Sequence, residues 1–309
     1  MRSVFIDGGA GTTGLEIRER LADRPEFHVT ALEGDARKDP AARAEALNAA
    51  DFVILCLPDD AAREAVELIR NPAVRVIDAS SAHRVADGWT YGFPELEPVQ
   101  AATIAEAARV SNPGCYPTGF LALVRPLVRT GLVPHDWPLS VNAVSGYSGG
   151  GKAMIAEFES GETETAHRAY ALSLSHKHLP EMQRHARIAY PPIFQPAVAR
   201  TYRGMLVEVP LALHALPRKP TLAAIEAAWR EAYRDQPLVR VAASEEAASV
   251  EIEADAGTDR MTLRAFGNMS SGQARLIATL DNLGKGAGGA AVQNLNLMAG
   301  LDPAAGLRV

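Results

Sequence analysis

The sequence predicts an α/β chain: a doubly wound parallel sheet with helices on both faces, followed by an α+β region whose sheet is largely antiparallel. Three observations predict it. Short apolar runs alternate with helical patterns up to about residue 112; a glycine-rich turn follows the first run; and longer strand-like segments begin after Cys115. The runs at 3–7, 28–32, 52–57, 74–78 and 109–111 have strand length, and the stretches at 15–22, 41–48 and 61–69 between them carry helical periodicity. Strands joined by helices of that length pair in parallel through right-handed crossovers.

Beyond Cys115 an apolar helix at 120–130 leads into strand candidates at 139–145, 205–213, 250–253 and 261–266, with a helix at 222–234 among them. That mixture reads as α+β. The last segment, 284–301, is rich in Gly and Ala and sets Val292, Leu295, Leu297 and Met298 on helical spacing. It is expected to pack back onto the first domain. The expected division is therefore 1–114 with 284–309, and 115–283. No internal repeat, low-complexity linker or heptad pattern interrupts it.

The chain has 309 residues, of which 47% are hydrophobic and 22% charged, a balance that excludes a disordered class. Its net charge of −6 comes without long runs of one sign. Phosphate backbones would be repelled, so no nucleic acid partner is expected. Apolar stretches such as 52–57 and 119–124 are too short to cross a bilayer. Met1 leads directly into Val4-Phe5-Ile6 without a charged and then apolar leader, so a cytoplasmic place and reduced cysteines are expected. Cys56 lies within an apolar run and reads as core packing. Cys115 lies in Ser111-Asn112-Pro113-Gly114-Cys115-Tyr116-Pro117-Thr118-Gly119, between a strand candidate and an apolar helix. The field at a helix N-terminus favours the thiolate, the species that attacks acyl carbon.

The first turn reads Asp7-Gly8-Gly9-Ala10-Gly11-Thr12-Thr13-Gly14. Gly9, Gly11 and Gly14 have the spacing that lets a backbone approach a pyrophosphate, with Thr12 and Thr13 opening the helix whose free N–H groups hold it. Residues 1–114 are accordingly expected to form a Rossmann dinucleotide-binding domain. After the second strand, Glu33 would favour NAD through a ribose hydroxyl, whereas Arg37 and Lys38 would accommodate the 2′-phosphate of NADP. The two cations tip the expectation to NADP.

In His176-Lys177-His178-Leu179-Pro180-Glu181, Pro180 suits the first turn of a helix with its body at 181–188. The two histidines point the same way if the approach is extended, and Glu181 is close enough to orient one of them. The residues leave open whether His176 or His178 is the acid/base, with a slight lean to His178. No further Cys/His pattern completes a metal site, so no metal is expected. Ser145, Tyr147, Gly149 and Lys152 belong to a donor-rich stretch after a strand candidate, suited to a phosphate or carboxylate with Lys152 and Arg84 as cationic partners.

The block Ser111 to Thr118 resembles the active-site signature of the N-acetyl-γ-glutamyl-phosphate reductase family, in the superfamily that includes aspartate-semialdehyde dehydrogenase. The glycine turn, Asp78-Ala79-Ser80-Ser81-Ala82-His83-Arg84, Tyr91-Gly92-Phe93-Pro94-Glu95-Leu96, the histidine block and Asp281-Asn282-Leu283-Gly284-Lys285-Gly286 all occur in family order. The resemblance spans essentially the whole chain, whose length is similar to the family's shorter, type 2 branch. It implies that Cys115 is the nucleophile and that the 176–181 block supplies the acid/base. It further implies that 145–152 lies near the active site, that Asn282 contacts nicotinamide, and that the second domain assembles a homo-oligomer, dimer or tetramer. The implied reaction belongs to arginine biosynthesis. The Cys115 thiolate displaces phosphate from N-acetyl-γ-glutamyl phosphate, and NADPH reduces the resulting thioester to the semialdehyde. The alternatives are a sister reductase for aspartyl or carrier-bound aminoadipyl phosphate, and a non-catalytic dinucleotide sensor. The intact set of Cys115, His176, His178 and Glu181 argues against the sensor.

Overall fold

Strand and helix alternate from the first residues onward in the computed structural model, which describes residues 1–243 and 248–309. The order is β1 (Arg2–Asp7), α1 (Thr12–Leu21), β2 (Phe27–Thr30), a short tight helix (Gly34–Lys38), α2 (Pro40–Ala49), β3 (Phe52–Leu55), α3 (Asp59–Leu68), β4 (Arg75–Asp78), β5 (Thr90–Tyr91), α4 (Gln100–Glu106) and β6 (Arg109–Ser111). These strands form one parallel sheet in the order β2-β1-β3-β4-β6-β5. Side chains alternating across the pleat feed two cores. Val4, Ile6, Phe52 and Ile54 pack with Ile17 of α1, Ile104 of α4, and Val292 and Leu295 of the C-terminal helix Gly289–Met298. Phe5, Val53, Leu55 and Val76 pack on the other face with Leu47 of α2 and Ala62 and Ala65 of α3. The sheet is doubly wound, as expected. Its order reverses between β1 and β3, where such sheets take their ligands.

The second region contains α5 (Cys115–Arg129), β7 (Ser140–Gly146), a short helical turn (Tyr147–Gly150), α6 (Gly151–Glu159), β8 (His167–Ala169), α7 (Leu179–Ala186), β9 (Ile193–Ala199), β10 (Met205–Ala212), α8 (Leu222–Ala232), β11 (Val239–Val241), β12 (Met261–Asn268) and β13 (Gln273–Leu280). Its seven-stranded sheet runs β11-β12-β13-β10-β7-β9-β8. The junctions β12/β13, β13/β10, β10/β7 and β9/β8 are antiparallel, and β11/β12 and β7/β9 are parallel. The strand expected at 250–253 is replaced by consecutive turns over 252–257. Asp255 enforces them: its buried carboxylate accepts bonds from Arg260 Nε (2.9 Å), Thr262 Oγ1 (3.1 Å) and Thr279 Oγ1 (2.7 Å), which no extended segment would allow. Instead β11 lies beside β12.

The chain divides into two units, Met1–Pro94, Val99–Gly114 and Ala287–Leu307 in one, and Glu95–Pro98, Cys115–Gly286 and Arg308–Val309 in the other. This differs from the expected division in three short pieces, each with a local reason. Lys285 pairs with Glu95 at 2.7 Å, and Gly286 lies against Cys115. The Asp259 N–H donates to the Arg308 carbonyl at 2.7 Å.

Residues 116–127 of α5 are all buried, although Pro126 lies within the helix and has no N–H to give the Ala122 carbonyl. The neighbouring α8 region supplies the missing donor and adds a second to the next carbonyl. The Tyr233 phenol donates to Ala122 O at 2.7 Å, and Trp229 Nε1 donates to Leu123 O at 2.9 Å. Burial pushes the Tyr233 phenol pKa up, so it remains a donor. Tyr233→Phe should therefore lower stability by about 1–3 kcal/mol, the cost of stranding a buried carbonyl, read as a reduced urea midpoint at unchanged slope. Adding Pro126→Ala restores an amide donor and should recover part of that loss. Strict additivity of the two changes would contradict this account.

Candidate active site

In the first unit, β1 ends at Asp7 and the chain turns at Gly8, whose φ is +83°, with the Gly11 N–H donating to Gly8 O at 2.9 Å. A Cβ on Gly14 would stand 2.7 Å from both Gly8 O and Gly9 Cα, so only glycine lets α1 come this close to the turn. No side chain caps α1, which leaves the first-turn N–H groups of Thr12, Thr13 and Gly14 facing an anion position. The turn fits a pyrophosphate. Asp7 would repel that charge, but Arg43 of α2 holds its carboxylate with Nη2 at 2.8 Å and Nε at 3.1 Å. Sequence reasoning did not find this pair.

Arg37 and Lys38 are exposed on the tight helix after β2, with Arg37 Nε donating to Gly34 O at 3.2 Å. Arg84, expected as a partner for the substrate's anion, is buried in the first unit. It donates to the carbonyls of Asn112 (3.0 Å) and Ala79 (3.2 Å), where two buried acceptors need a donor.

In the second unit Cys115 is the first residue of α5 and is half-buried. Behind it lies Gly286, where a Cβ would come within 2.9 Å of Cys115 Cβ. Cys56, equally half-buried by surface, has a different setting. It lies one residue beyond β3 against the first unit's core, and burial, with the charges of Asp78 and Asp7, pushes its thiol up to about 12.

The rings of His176 and His178 are 4.6 Å apart, and the His178 N–H donates to His176 Nδ1 at 3.1 Å. A backbone amide can only donate, so the neutral His176 ring carries its proton on Nε2. His178 is the buried N-cap residue of α7, and Glu181 lies in that helix's first turn with 1% exposure. Tyr116, next to the cysteine, packs edge-on against His176 (6.5 Å), His178 (6.0 Å) and Phe194 (5.2 Å). Its phenol donates to Ala197 O at 3.0 Å and accepts from the Tyr170 phenol at 3.2 Å. Burial raises the Tyr116 pKa well above the usual range, and the nearby Tyr170 and Cys115 charges add to it. Burial likewise pushes Tyr170 to about 12, against the lowering effect of its bond to Tyr116 and with the Cys115 charge adding to the rise. Tyr116 thus links the segment that carries Cys115 to both imidazole rings. Tyr170 and Phe194 carried no sequence signal. Glu95 and Lys285, also overlooked, lie inside blocks that carried the resemblance.

Ser145, the last residue but one of β7, is buried, and a Cβ on Gly149 would stand 2.9 Å from its hydroxyl. Asn282 lies in this unit too. Its Oδ1 accepts from the Gly204 N–H (2.9 Å) and its Nδ2 donates to Ser148 Oγ (2.8 Å), which fixes the orientation of the amide. Tyr147 stacks on Phe158 at 5.0 Å, with its hydroxyl 3.5 Å from Glu159. Lys152 is exposed on α6. Among the described residues, no three of His, Cys, Asp and Glu are gathered as metal ligands, and no helix is long and apolar enough to cross a membrane.

Fold and site together define the semialdehyde dehydrogenase class. A family model described as "Semialdehyde dehydrogenase, NAD binding domain" matches residues 3–104, and one described as "Semialdehyde dehydrogenase, dimerisation domain" matches 115–282. A dinucleotide cofactor follows for this chain. Aspartate semialdehyde dehydrogenase II from Vibrio cholerae shares the fold at a TM-score of 0.71 and 16% identity, over 96% of this chain and 98% of that one. Aspartate semialdehyde dehydrogenase from Candida albicans does so at 0.67 and 13%, over 97% and 98%. Nearer relatives bear a more specific name. N-acetyl-gamma-glutamyl-phosphate reductase from Chelativorans sp. is 52% identical, covering 96% of this chain and 97% of its own. The protein of that name from Burkholderia cenocepacia is 50% identical, with 98% and 99% covered. The chain belongs to the N-acetyl-γ-glutamyl-phosphate reductase family.

The two thiols give a direct check. At pH 8 a thiol with a pKa of about 12 is ionised in only about one molecule in ten thousand. Iodoacetamide at that pH should label native Cys115 and spare Cys56, and Cys56 should begin to react only as the pH is raised towards its own pKa. Preferential labelling of Cys56 at pH 8 would reverse the assignment.

Proposed function

We propose that the chain reduces N-acetyl-γ-glutamyl phosphate to N-acetylglutamate semialdehyde and phosphate with NADPH, a step of arginine biosynthesis carried out in the cytoplasm by a dimer or tetramer. What supports this reading is Cys115 at the N-terminus of a buried helix, followed by Tyr116 whose ring packs against both His176 and His178, in a chain about half identical to relatives named for this activity. His178 takes the proton from Cys115 Sγ and remains charged beside the thiolate. The thiolate attacks the acyl carbon, a C–S bond forms, and the bond to the phosphate oxygen breaks. NADPH supplies the hydride that reduces the thioester. The oxyanion formed at each stage receives a hydrogen bond from Nε2–H of His176, the tautomer imposed by its bond to the His178 amide. Collapse of the thiohemiacetal releases the aldehyde and restores the thiolate. Glu181 holds the imidazolium form of His178, and Ser145 and Gly149 receive the substrate's polar groups. The glycine turn holds the pyrophosphate, and the exposed Arg37 and Lys38 bind the 2′-phosphate.

An NADPH-oxidation assay across acyl phosphates tests this. N-acetyl-γ-glutamyl phosphate should be turned over at least about ten-fold more efficiently than aspartyl phosphate, and faster with NADPH than with NADH. Cys115→Ser should abolish turnover. His178→Asn should lower kcat by about 10²–10⁴ and remove a limb of the pH–rate profile, whereas His176→Asn should lower kcat and keep that limb. A complete pH profile in His178→Asn would transfer the base role, and a preference for aspartyl phosphate would transfer the substrate.

A further inference from the structure

Lys285 and Glu95 form an ion pair sealed from solvent, with Nζ 2.7 Å from Oε1 and side chains 1% and 0% exposed. Nothing in the reaction above uses either residue. Two buried charges are a costly way to fill space, and apolar side chains of the same size hold a fold at least as well. What an ion pair adds is a fixed distance and direction between the backbones that carry it.

The backbone on the lysine side lies at the nucleophile. The chain enters the second unit at Glu95 and again at Cys115, and leaves it at Gly286. A Cβ on Gly286 would stand 2.9 Å from Cys115 Cβ and 3.0 Å from Asp281 O, so the backbone beside Lys285 is pressed against the first residue of α5. The other end of this turn is anchored separately. The buried Asp281 carboxylate accepts N–H bonds from Leu283 (2.7 Å), Gly284 (3.2 Å) and Gly257 (2.5 Å), and its carbonyl accepts the Gly286 N–H at 2.9 Å. Arg203 Nη1 approaches the same carboxylate at 3.3 Å. Between the anchors, Gly284–Gly288 winds as a wide π-type turn, a geometry that local bonding specifies weakly.

We propose that Lys285 and Glu95 are positioning residues: their ion pair clamps this turn against the start of α5 and so sets where Cys115 Sγ stands relative to His176 and His178. The proposal rests on Cys115 as the nucleophile. Apolar replacements would keep the turn buried but let it slide.

The test uses the full-length chain. In Lys285→Met/Glu95→Leu both charges are removed and the volume is largely kept. The urea midpoint should stay at or above that of the parent, and the Michaelis constant for NADPH should change by no more than about two-fold. Both kcat and the rate of Cys115 alkylation by iodoacetamide should fall by about ten- to a hundred-fold, the cost of a displaced nucleophile. Lys285→Arg, which keeps the charge, should recover part of the loss. Parent values of kcat and alkylation in the double variant would overturn the proposal. Should that variant fail to fold, Glu95→Gln, which keeps shape and removes charge, is judged by the same two rates. Failure of the underlying reading looks different: the parent Cys115 would then resist alkylation and Cys115→Ser would still turn over.

Discussion

Burial of one helix organises the second unit and the chemistry within it. Residues 116–127 of α5 are all buried, and large apolar members such as Phe120, Leu121, Leu123 and Leu127 each contribute about 1.5–3 kcal/mol on leaving water. The burial fixes rotation as well as depth. At Gly119 the helix meets the sheet so closely that a Cβ would stand 2.8 Å from Val207 Cγ2. Cys115 is the first residue of that helix, so its place is inherited from core packing rather than from a loop. The positive end of the helix then falls at the thiol. Pro126 breaks the helix's own bonding pattern where α8 can repair it, and the helix stays intact with a proline inside it.

Around this fixed point the protein uses aromatic burial to hold the histidines. Tyr116 follows the cysteine and touches both imidazoles, while the Tyr170 phenol bonded to it brings in the start of the segment that carries them. A single amide bond then distinguishes two otherwise similar rings, because the His178 N–H makes His176 Nδ1 an acceptor. The first unit meets its demand without side chains. Its glycine turn offers uncapped backbone N–H groups and has no Cβ at Gly14, and the Asp7 carboxylate at the end of β1 is paired with Arg43.

The parallel sheet is legible in the sequence because its strands are apolar runs bounded by helical stretches, and the glycine turn is legible because its geometry excludes other residues. The rest of the second sheet is less so. β8 has only three residues, of which His167 and Arg168 are polar, β9 contains Pro196, and β13 dilutes its pattern with Ala274 and Ala278. The turns at 252–257 follow from the partners of Asp255, which lie up to 24 residues away. In the candidate site, Cys115, His176, His178 and Glu181 stand out in the sequence because the proposed chemistry needs those residue types in that local context. The orientations of Arg84, Tyr147 and Asn282 are not legible in the same way. Position in a motif brings a residue to the right segment, but which way a guanidinium, a ring or an amide turns is decided by distant partners, here the carbonyls of Ala79 and Asn112, the ring of Phe158 and the pair Gly204 and Ser148.

The central claim is that the acyl group is carried on Cys115. It is tested most directly by running the reaction from the aldehyde side without phosphate to complete it. N-acetylglutamate semialdehyde and NADP⁺, mixed with the protein in phosphate-free buffer and quenched in acid, should give a burst of about one NADPH per active site. Mass spectrometry should find an N-acetylglutamyl group on the peptide containing Cys115, and hydroxylamine should release it. A burst without an adduct, or an adduct on any other peptide, would contradict the account.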